Sequence, residues 1–277
     1  MPAPSRPVPL ESPADAERVA LGLSRTMLKT VTAYGLIEDG DRVLVAVSGG
    51  KDSYTLFDLL WRARRKAPID FELIAFHLDQ RQPGYDGAPL REWLERFGAP
   101  FEIACEDTYS AVIEDASRNE GATYCRLCSR LRRGILYTAA ERMGCNKIAL
   151  GHHRDDALET LLLNLFYSGR LQAMPARYTT NDGRFEVVRP LIECAEKEIA
   201  AHAAAAGYPI LPCNLCGSQT DLKRETVARL LEDLERSAPD LRQVMLAALK
   251  NVRPSHLLDA EVAEAWAARA ADHAPRR

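Results

Sequence analysis

Two groups of residues in this chain have types and spacing that could do chemistry: a charged glycine loop and paired cysteines. The loop is Ser48-Gly49-Gly50-Lys51-Asp52-Ser53, placed between the apolar run Arg42–Val47 and a stretch of helical character. Glycines there let the backbone approach a ligand, and the N-terminus of the following helix presents unpaired N–H groups to an anion. Lys51 adds a point charge, and Ser48 and Ser53 add hydroxyl donors. Asp52 does not belong in a pure anion site, but a carboxylate makes sense if it holds Mg²⁺ beside phosphates. The spacing is not that of the Walker A loop. A serine-glycine turn that merely starts a helix is the bland alternative, and the complete hexapeptide after a buried strand argues against it.

A second element, Gly151-His152-His153-Arg154-Asp155-Asp156, follows the apolar segment Lys147–Leu150. It must emerge at the same carboxyl edge of a sheet, where open α/β folds bind ligands. One of its aspartates is expected to cap the next helix. The other is expected to help organise a metal–nucleotide complex.

Seven cysteines stand at 105, 125, 128, 145, 194, 213 and 216. Four form the pairs Cys125-Arg-Leu-Cys128 and Cys213-Asn-Leu-Cys216, with 84 residues between them. A zinc ribbon spaces its pairs by about 15–20 residues, so this pattern is not one, although folding could still unite the pairs. Zinc and an iron–sulfur cluster both accept such thiolates, and spacing alone leaves the two open. Cys105, Cys145 and Cys194 are isolated and read as small buried hydrophobes.

Strands and helices must position these groups. Strands are expected at Arg42–Val47, Glu72–Leu78, Phe101–Ala104 and Lys147–Leu150, with helices over 14–36, 54–65, 90–97, 129–143 and 155–166. Ser168–Arg184 reads as a loop, and further helices are expected over 197–206, 221–236 and 239–250. Alternating strands and helices imply a doubly wound parallel sheet, an α/β fold, flanked by N- and C-terminal helices. A Pro-rich tail over residues 1–14 and an Ala- and charge-rich tail over 258–277 leave 15–257 as the catalytic domain.

The 277 residues carry a net charge of −3, so any polyanion site must come from a local basic patch rather than the whole surface. Arg126, Arg130, Arg132 and Arg133 crowd the first cysteine pair, and Arg170, Arg177, Arg184 and Arg189 follow farther on. Such arginines suit RNA phosphates and unpaired bases. No apolar run is long enough to span a bilayer, and no secretory signal pattern is present, so a cytoplasmic location and no membrane partner are expected.

The hexapeptide resembles the SGGxDS signature of the PP-loop ATP pyrophosphatase family. The stretches Cys125–Tyr137, Lys147–Asn164, Val187–Leu191 and Pro209–Gln219 are similar to the tRNA 2-thiocytidine synthetase (TtcA) family, as are Leu78–Tyr85 and Asn251–Leu257. That resemblance runs from about Met27 to Leu257 and implies a PP-loop, adenine nucleotide alpha hydrolase-like fold. It implies ATP-dependent conversion of an anticodon-loop cytidine (position 32) to 2-thiocytidine, through adenylation of the C2 oxygen. It further implies a [4Fe–4S] cluster on three cysteines, with one iron left open for sulfur. Cys125 and Cys128 map to two of them, and the third is Cys216 or Cys213, of which Cys216 is preferred because Gly217 behind it lets the backbone approach the cluster. Lys51, Asp52 and Asp155 are then the expected catalytic residues. Ser48, Gly49, Gly50, Lys51, Asp52, Ser53, Gly151, His152 and Asp156 are the expected nucleotide-binding ones. The partners implied are tRNA, ATP with Mg²⁺, and a sulfur donor such as a cysteine desulfurase. A homodimer is compatible with the sequence. The rival readings are another PP-loop tRNA ligase or thiolase, and a zinc-clamped RNA-binding module without catalysis; the last leaves Ser48–Ser53 and Gly151–Asp156 unexplained.

Overall fold

The computed structural model describes residues 12–118, 124–211 and 222–272, with backbone alone at 116–118, 124–126, 222 and 270–272. Helix α1 spans Pro13–Tyr34, opened by the side chain of Ser12, which accepts from the Asp15 N–H, and closed by Gly35 in the left-handed region. The strands and helices then alternate: β1 Arg42–Ala46, α2 Lys51–Arg64, β2 Glu72–Asp79, α3 Ala88–Phe97, β3 Phe101–Cys105. Next come α4 Thr108–Arg118, α5 Tyr124–Arg142, β4 Lys147–Ala149 and α6 Arg154–Tyr167. They are followed by β5 Arg177–Thr179, β6 Glu186–Val188, α7 Glu196–Ala206, α8 Leu222–Glu235, α9 Leu241–Lys250 and α10 Ala260–Asp272.

The six strands lie in the order β3-β2-β1-β4-β6-β5. All neighbours pair in parallel except β5 with β6, as the alternation of strands and helices predicts. Pleating sorts the core. Val43 and Val45 of β1, with Leu73 and Ala75 of β2, join the cluster that packs α1, α2, α3 and α7. Leu44, Ile74 and Phe76, one register position away, join the cluster under α5. A strand buried on both faces must read as a continuous apolar run, which is why the Arg42–Val47 run is so plain in the sequence.

Two features depart from expectation. The segment Ser168–Arg184 contains β5, a three-residue edge strand whose Tyr178 sits opposite Val187. So short a strand has too few residues to show alternation, and its tight turn through Gly183 (φ 72°) masks it further. Helix α4 was also not anticipated; among its described side chains only Val112 is an apolar residue fully buried. The chain divides into two compact units, one ending at Leu230 and one beginning at Leu231, within α8. Among the described residues no helix is long and apolar enough to cross a membrane.

The topology matters for function at one point. From β1 the chain moves to β2 and β3 on one side, then returns to β4 on the other. Between β1 and β4 the strand order reverses, and it is outside the carboxyl ends of strands at such a reversal that open α/β sheets bind ligands. The loop after β1 is Ser48–Gly50, and the loop after β4 leads into Gly151–His153.

Candidate active site

Helix α2 starts at Lys51 with Gly50 at its N-cap, and no side chain caps it. Its first N–H groups therefore remain available to a ligand, with the positive end of the helix dipole behind them. The loop is held from within: the Ser48 N–H donates to Ser53 Oγ at 3.1 Å, and Ser53 Oγ–H donates to the Gly50 carbonyl at 2.9 Å. Gly49 has φ +85°, and a Cβ there would lie 2.9 Å from Leu211, whose N–H donates to the Gly49 carbonyl at 2.9 Å. Gly151 presses on the same turn from the β4 side. A Cβ at 151 would lie 3.1–3.2 Å from the backbone of Asp52 and Ser53.

Lys51 Nζ sits between two carboxylates, 3.1 Å from Asp52 Oδ1 and 2.9 Å from Glu196 Oε1 in the first turn of α7. Burial pulls its pKa down, but Asp52 and Glu196 outweigh that and hold the ammonium charged. Asp52 is pushed the other way: burial raises its carboxyl above the ordinary range, only partly offset by His153 and Lys51. Its buried Oδ1 accepts no hydrogen bond of good geometry; Lys51 Nζ lies 3.1 Å and His153 Nε2 3.7 Å from it. Because these neighbours only partly offset the burial, a further cation at this carboxylate would be favourable.

One of the two aspartates after β4 caps the next helix, as the sequence predicts, and the other serves the start of α7. Asp156 is N3 of α6 in a capping box with His153: the His153 N–H donates to Asp156 Oδ2 at 3.0 Å, and the Asp156 N–H to His153 Nδ1 at 3.4 Å. Asp155 is buried, pairs with Arg154 at 3.3 Å, and accepts from the Glu196 N–H at 2.8 Å. It thus fixes the start of α7, and with it the Glu196 that holds Lys51.

His152 is driven down to about 4, chiefly by burial, so its imidazole is neutral at physiological pH. Arg189 Nε–H donates to His152 Nδ1 at 3.3 Å, which leaves the ring proton on Nε2. Arg189 is buried, donates to the Pro175 carbonyl at 2.8 Å and lies over Tyr178. It is therefore part of this site and not of the exposed basic surface assigned to it from sequence. Glu159, one turn after Asp156, is raised to about 7 by burial and sits 3.6 Å from Arg224.

Glu196 and Glu159 were not anticipated. Each lies in an otherwise ordinary helix turn, and only the folded sheet edge brings them to the loop. An acidic pair opening α7 (Glu196, Glu198) is the sole local signal.

Of the expected cluster ligands, Cys128 is buried on α5 with Val112, and its thiol donates to Gln80 Oε1 at 3.4 Å, in the loop after β2. Cys125 lies one turn earlier on the same helix, where i and i+3 share a face. Cys213 and Cys216 lie outside the described residues. Cys145 and Cys194 are buried as expected, but Cys105 is exposed: it ends the short β3, with Arg81 Nε 3.4 Å from its sulfur. Arg130 and Arg133 are exposed on α5, and Arg132 is half-buried.

Comparison with known proteins agrees with this geometry. A family model described as PP-loop domain matches residues 22–211. The tRNA-cytidine(32) 2-sulfurtransferase of Sorangium cellulosum is 54% identical over 237 residues, 86% of this chain and 83% of that one. The protein of that name from Erwinia tasmaniensis is 49% identical, over 87% of this chain and 77% of its own. Among solved structures, the U34-tRNA thiolase NcsA from Methanococcus maripaludis, with its [4Fe–4S] cluster, shares the fold. It superposes with a TM-score of 0.67 at 21% identity, covering 86% of this chain and 81% of that one. The chain belongs to the PP-loop family and, within it, to the tRNA-cytidine(32) 2-sulfurtransferases.

Proposed function

We propose that this protein uses ATP to convert cytidine 32 of tRNA to 2-thiocytidine, with the residues at the β1–β4 switch point doing the activation. The observation that carries the reading is an uncapped helix N-terminus beside the Asp52 carboxylate, whose burial Lys51 and His153 only partly offset: the first suits an anion, the second a further cation. A magnesium–triphosphate complex supplies both. The C2 oxygen of cytidine is a poor leaving group. It attacks the α-phosphorus of ATP, the bond to pyrophosphate breaks, and the oxygen becomes part of a good leaving group. Hydrosulfide-level sulfur from the donor then adds at C2 and loses its proton, and AMP departs with that oxygen.

Lys51 and the first N–H groups of α2 stabilise the charge that develops on the phosphates. Asp52 would hold Mg²⁺, with Asp156 near enough for its charge to act on the Asp52 carboxyl. Asp155 and Glu196 position Lys51. The neutral His152, its proton fixed on Nε2 by Arg189, can donate a hydrogen bond without adding charge.

Cys125 and Cys128, on one face of α5, fit as thiolate ligands of a [4Fe–4S] cluster, with Cys216 the third ligand in this reading. When bound, the cluster supplies a place to carry sulfur to the activated base. Exposed Arg130 and Arg133 give tRNA phosphates a positive surface near those ligands. A cytoplasmic setting, where thiols stay reduced, suits this chemistry, as does a desulfurase-type sulfur donor.

The test is anaerobic reconstitution of the full chain, then assay for iron, sulfide and ATP-dependent 2-thiocytidine in tRNA by nucleoside mass spectrometry. Cys125→Ala, Cys128→Ala and Cys216→Ala should each lose cluster and product together, while Cys213→Ala keeps most of its iron. Stoichiometric zinc without iron, and no thiolation, would overturn the reading.

A further inference from the structure

At the end of α6 farthest from the nucleotide loop the chain does something costly. Residues 164–172, Asn-Leu-Phe-Tyr-Ser-Gly-Arg-Leu-Gln, include four large apolar side chains that face solvent: Leu165 is 46% exposed, Phe166 51%, Tyr167 46% and Leu171 66%. The loop is not loosely held. Asn164 accepts at its carbonyl from the Ser168 and Arg170 N–H groups, both at 3.0 Å, and its side-chain amide donates to the Gln172 carbonyl at 2.7 Å. Gly169, with φ 62°, makes the turn. Phe166 and Tyr167 stand nearly perpendicular, their centroids 6.5 Å apart, and Lys223 lies over the Tyr167 ring at 4.9 Å. A contiguous exposed apolar patch of this kind marks an interaction site.

We infer that this loop is a stacking platform for unpaired bases of the tRNA substrate; the inference rests on the tRNA reading above. Three observations choose RNA over a second copy of the chain. Residues 164–172 contain no acidic side chain, and Arg170 is exposed within them. Aromatic faces interleaved with Arg and Lys are the usual platform for single-stranded nucleic acid, because every base has a π-face and every nucleotide a phosphate. A two-fold contact between copies would set Arg170 and Lys223 near their own counterparts, an unfavourable arrangement for like charges. The geometry also suits reach: α6 has 14 residues, so the loop stands about 20 Å from the His153–Asp156 end that faces the nucleotide site. A stem-loop whose target base enters that site extends well over such a distance.

Stacking and ion pairing leave different signatures. Phe166→Ala in the full chain should weaken tRNA binding about ten-fold while leaving the slope of log Kd against log salt unchanged, since no phosphate contact is lost. Phe166→Trp should restore the affinity. Arg170→Ala should instead reduce that slope by about one. Iron content, the KM for ATP and the thermal midpoint should stay at wild-type values in all three. If Phe166→Ala binds tRNA as tightly as wild type, the platform is overturned. If it halves the molecular mass measured by light scattering without touching tRNA affinity, the loop is a contact between copies, and the inference is again overturned. Wild-type protein that binds no tRNA overturns both this inference and the function on which it rests.

Discussion

Helix α2 carries two carboxylates, Asp52 in its first turn and Asp58 in its middle, and they are opposites. Asp58 is fully buried, yet Tyr208 Oη–H donates to it at 2.7 Å, Arg62 pairs with it one turn on, and His202 Nε2 lies 3.7 Å away. Burial alone would raise its pKa, but His202, Tyr208 and Arg62 together outweigh that and hold it below the ordinary range. Asp52 has Lys51 and His153 beside it, but they only partly offset its burial, and its pKa is raised. The same residue type on the same helix is fully compensated by the protein in one place and only partly in the other. A buried polar group that the fold completes is structural, whereas one that it completes only in part at a sheet's switch point is a binding group.

The largest effect should come at the open end. Asp52→Asn and Lys51→Ala should each lower thiolation by about 10²–10³-fold, the scale on which a preorganised charge-stabilising group acts. Stability should respond in the opposite sense for Asp52. Its raised pKa means that the charged form is penalised in the fold, a cost present at neutral pH and relieved as pH falls through the folded pKa. Asp52→Asn removes that cost, so the thermal midpoint of the ligand-free protein at pH 7 should be unchanged or higher. A marked drop in that midpoint would make Asp52 a structural residue and dissolve the contrast.

Asp58→Ala should do the reverse. It takes the acceptor from the buried Tyr208 hydroxyl and the ion-pair partner from Arg62, and breaking such a network costs about 3 kcal/mol. Because its folded pKa is depressed, Asp58 stabilises the protein above its unfolded pKa of about 3.9, and that contribution is lost as pH falls through the folded value. Denaturant titrations at a series of pH values should therefore show wild type and Asp58→Ala converging in acid. Curves that stay parallel to the lowest pH measured would mean that the Asp58 charge contributes nothing.

The sequence makes one side of this contrast legible and hides the other. Ser48–Ser53 announces itself because a phosphate loop must be built from contiguous residues: glycines to turn, a lysine, and a helix to follow. The sheet was readable for a similar reason, since β1 is buried on both faces and its neighbours repeat the pattern. Asp58, Tyr208 and His202 come from α2, α7 and the turn after it, and no local spacing joins them. Glu196 escaped for the same reason, as its partner Lys51 is 145 positions away in the chain. Arg189 was legible as a cation but not as a buried one, because burial is decided by β5, a strand too short to announce itself. The GHHRDD run was recognised, but its internal division was not: which aspartate caps which helix depends on α7, far along the chain.

The smallest expected effect lies between the two carboxylates, at Tyr54. Its ring is buried, stacked on Tyr208 with centroids 5.4 Å apart and edge-on to Trp93 at 4.8 Å, and its hydroxyl donates to the Pro209 carbonyl at 2.9 Å. Tyr54→Phe keeps the ring and removes one neutral hydrogen bond, which should cost about 1 kcal/mol of stability. The bond sits two residues before Leu211, which donates to the Gly49 carbonyl and packs on that glycine. Phosphates face the N–H groups of the loop rather than this carbonyl, so the KM for ATP should stay within about two-fold of wild type. Loosening the segment that backs the loop should still slow thiolation. If kcat falls by more than the roughly five-fold that 1 kcal/mol represents, Tyr54 acts with Asp52 as part of the site. A kcat at the wild-type value, with only the stability loss, would group Tyr54 with Asp58 and confine the functional region of α2 to its first turn.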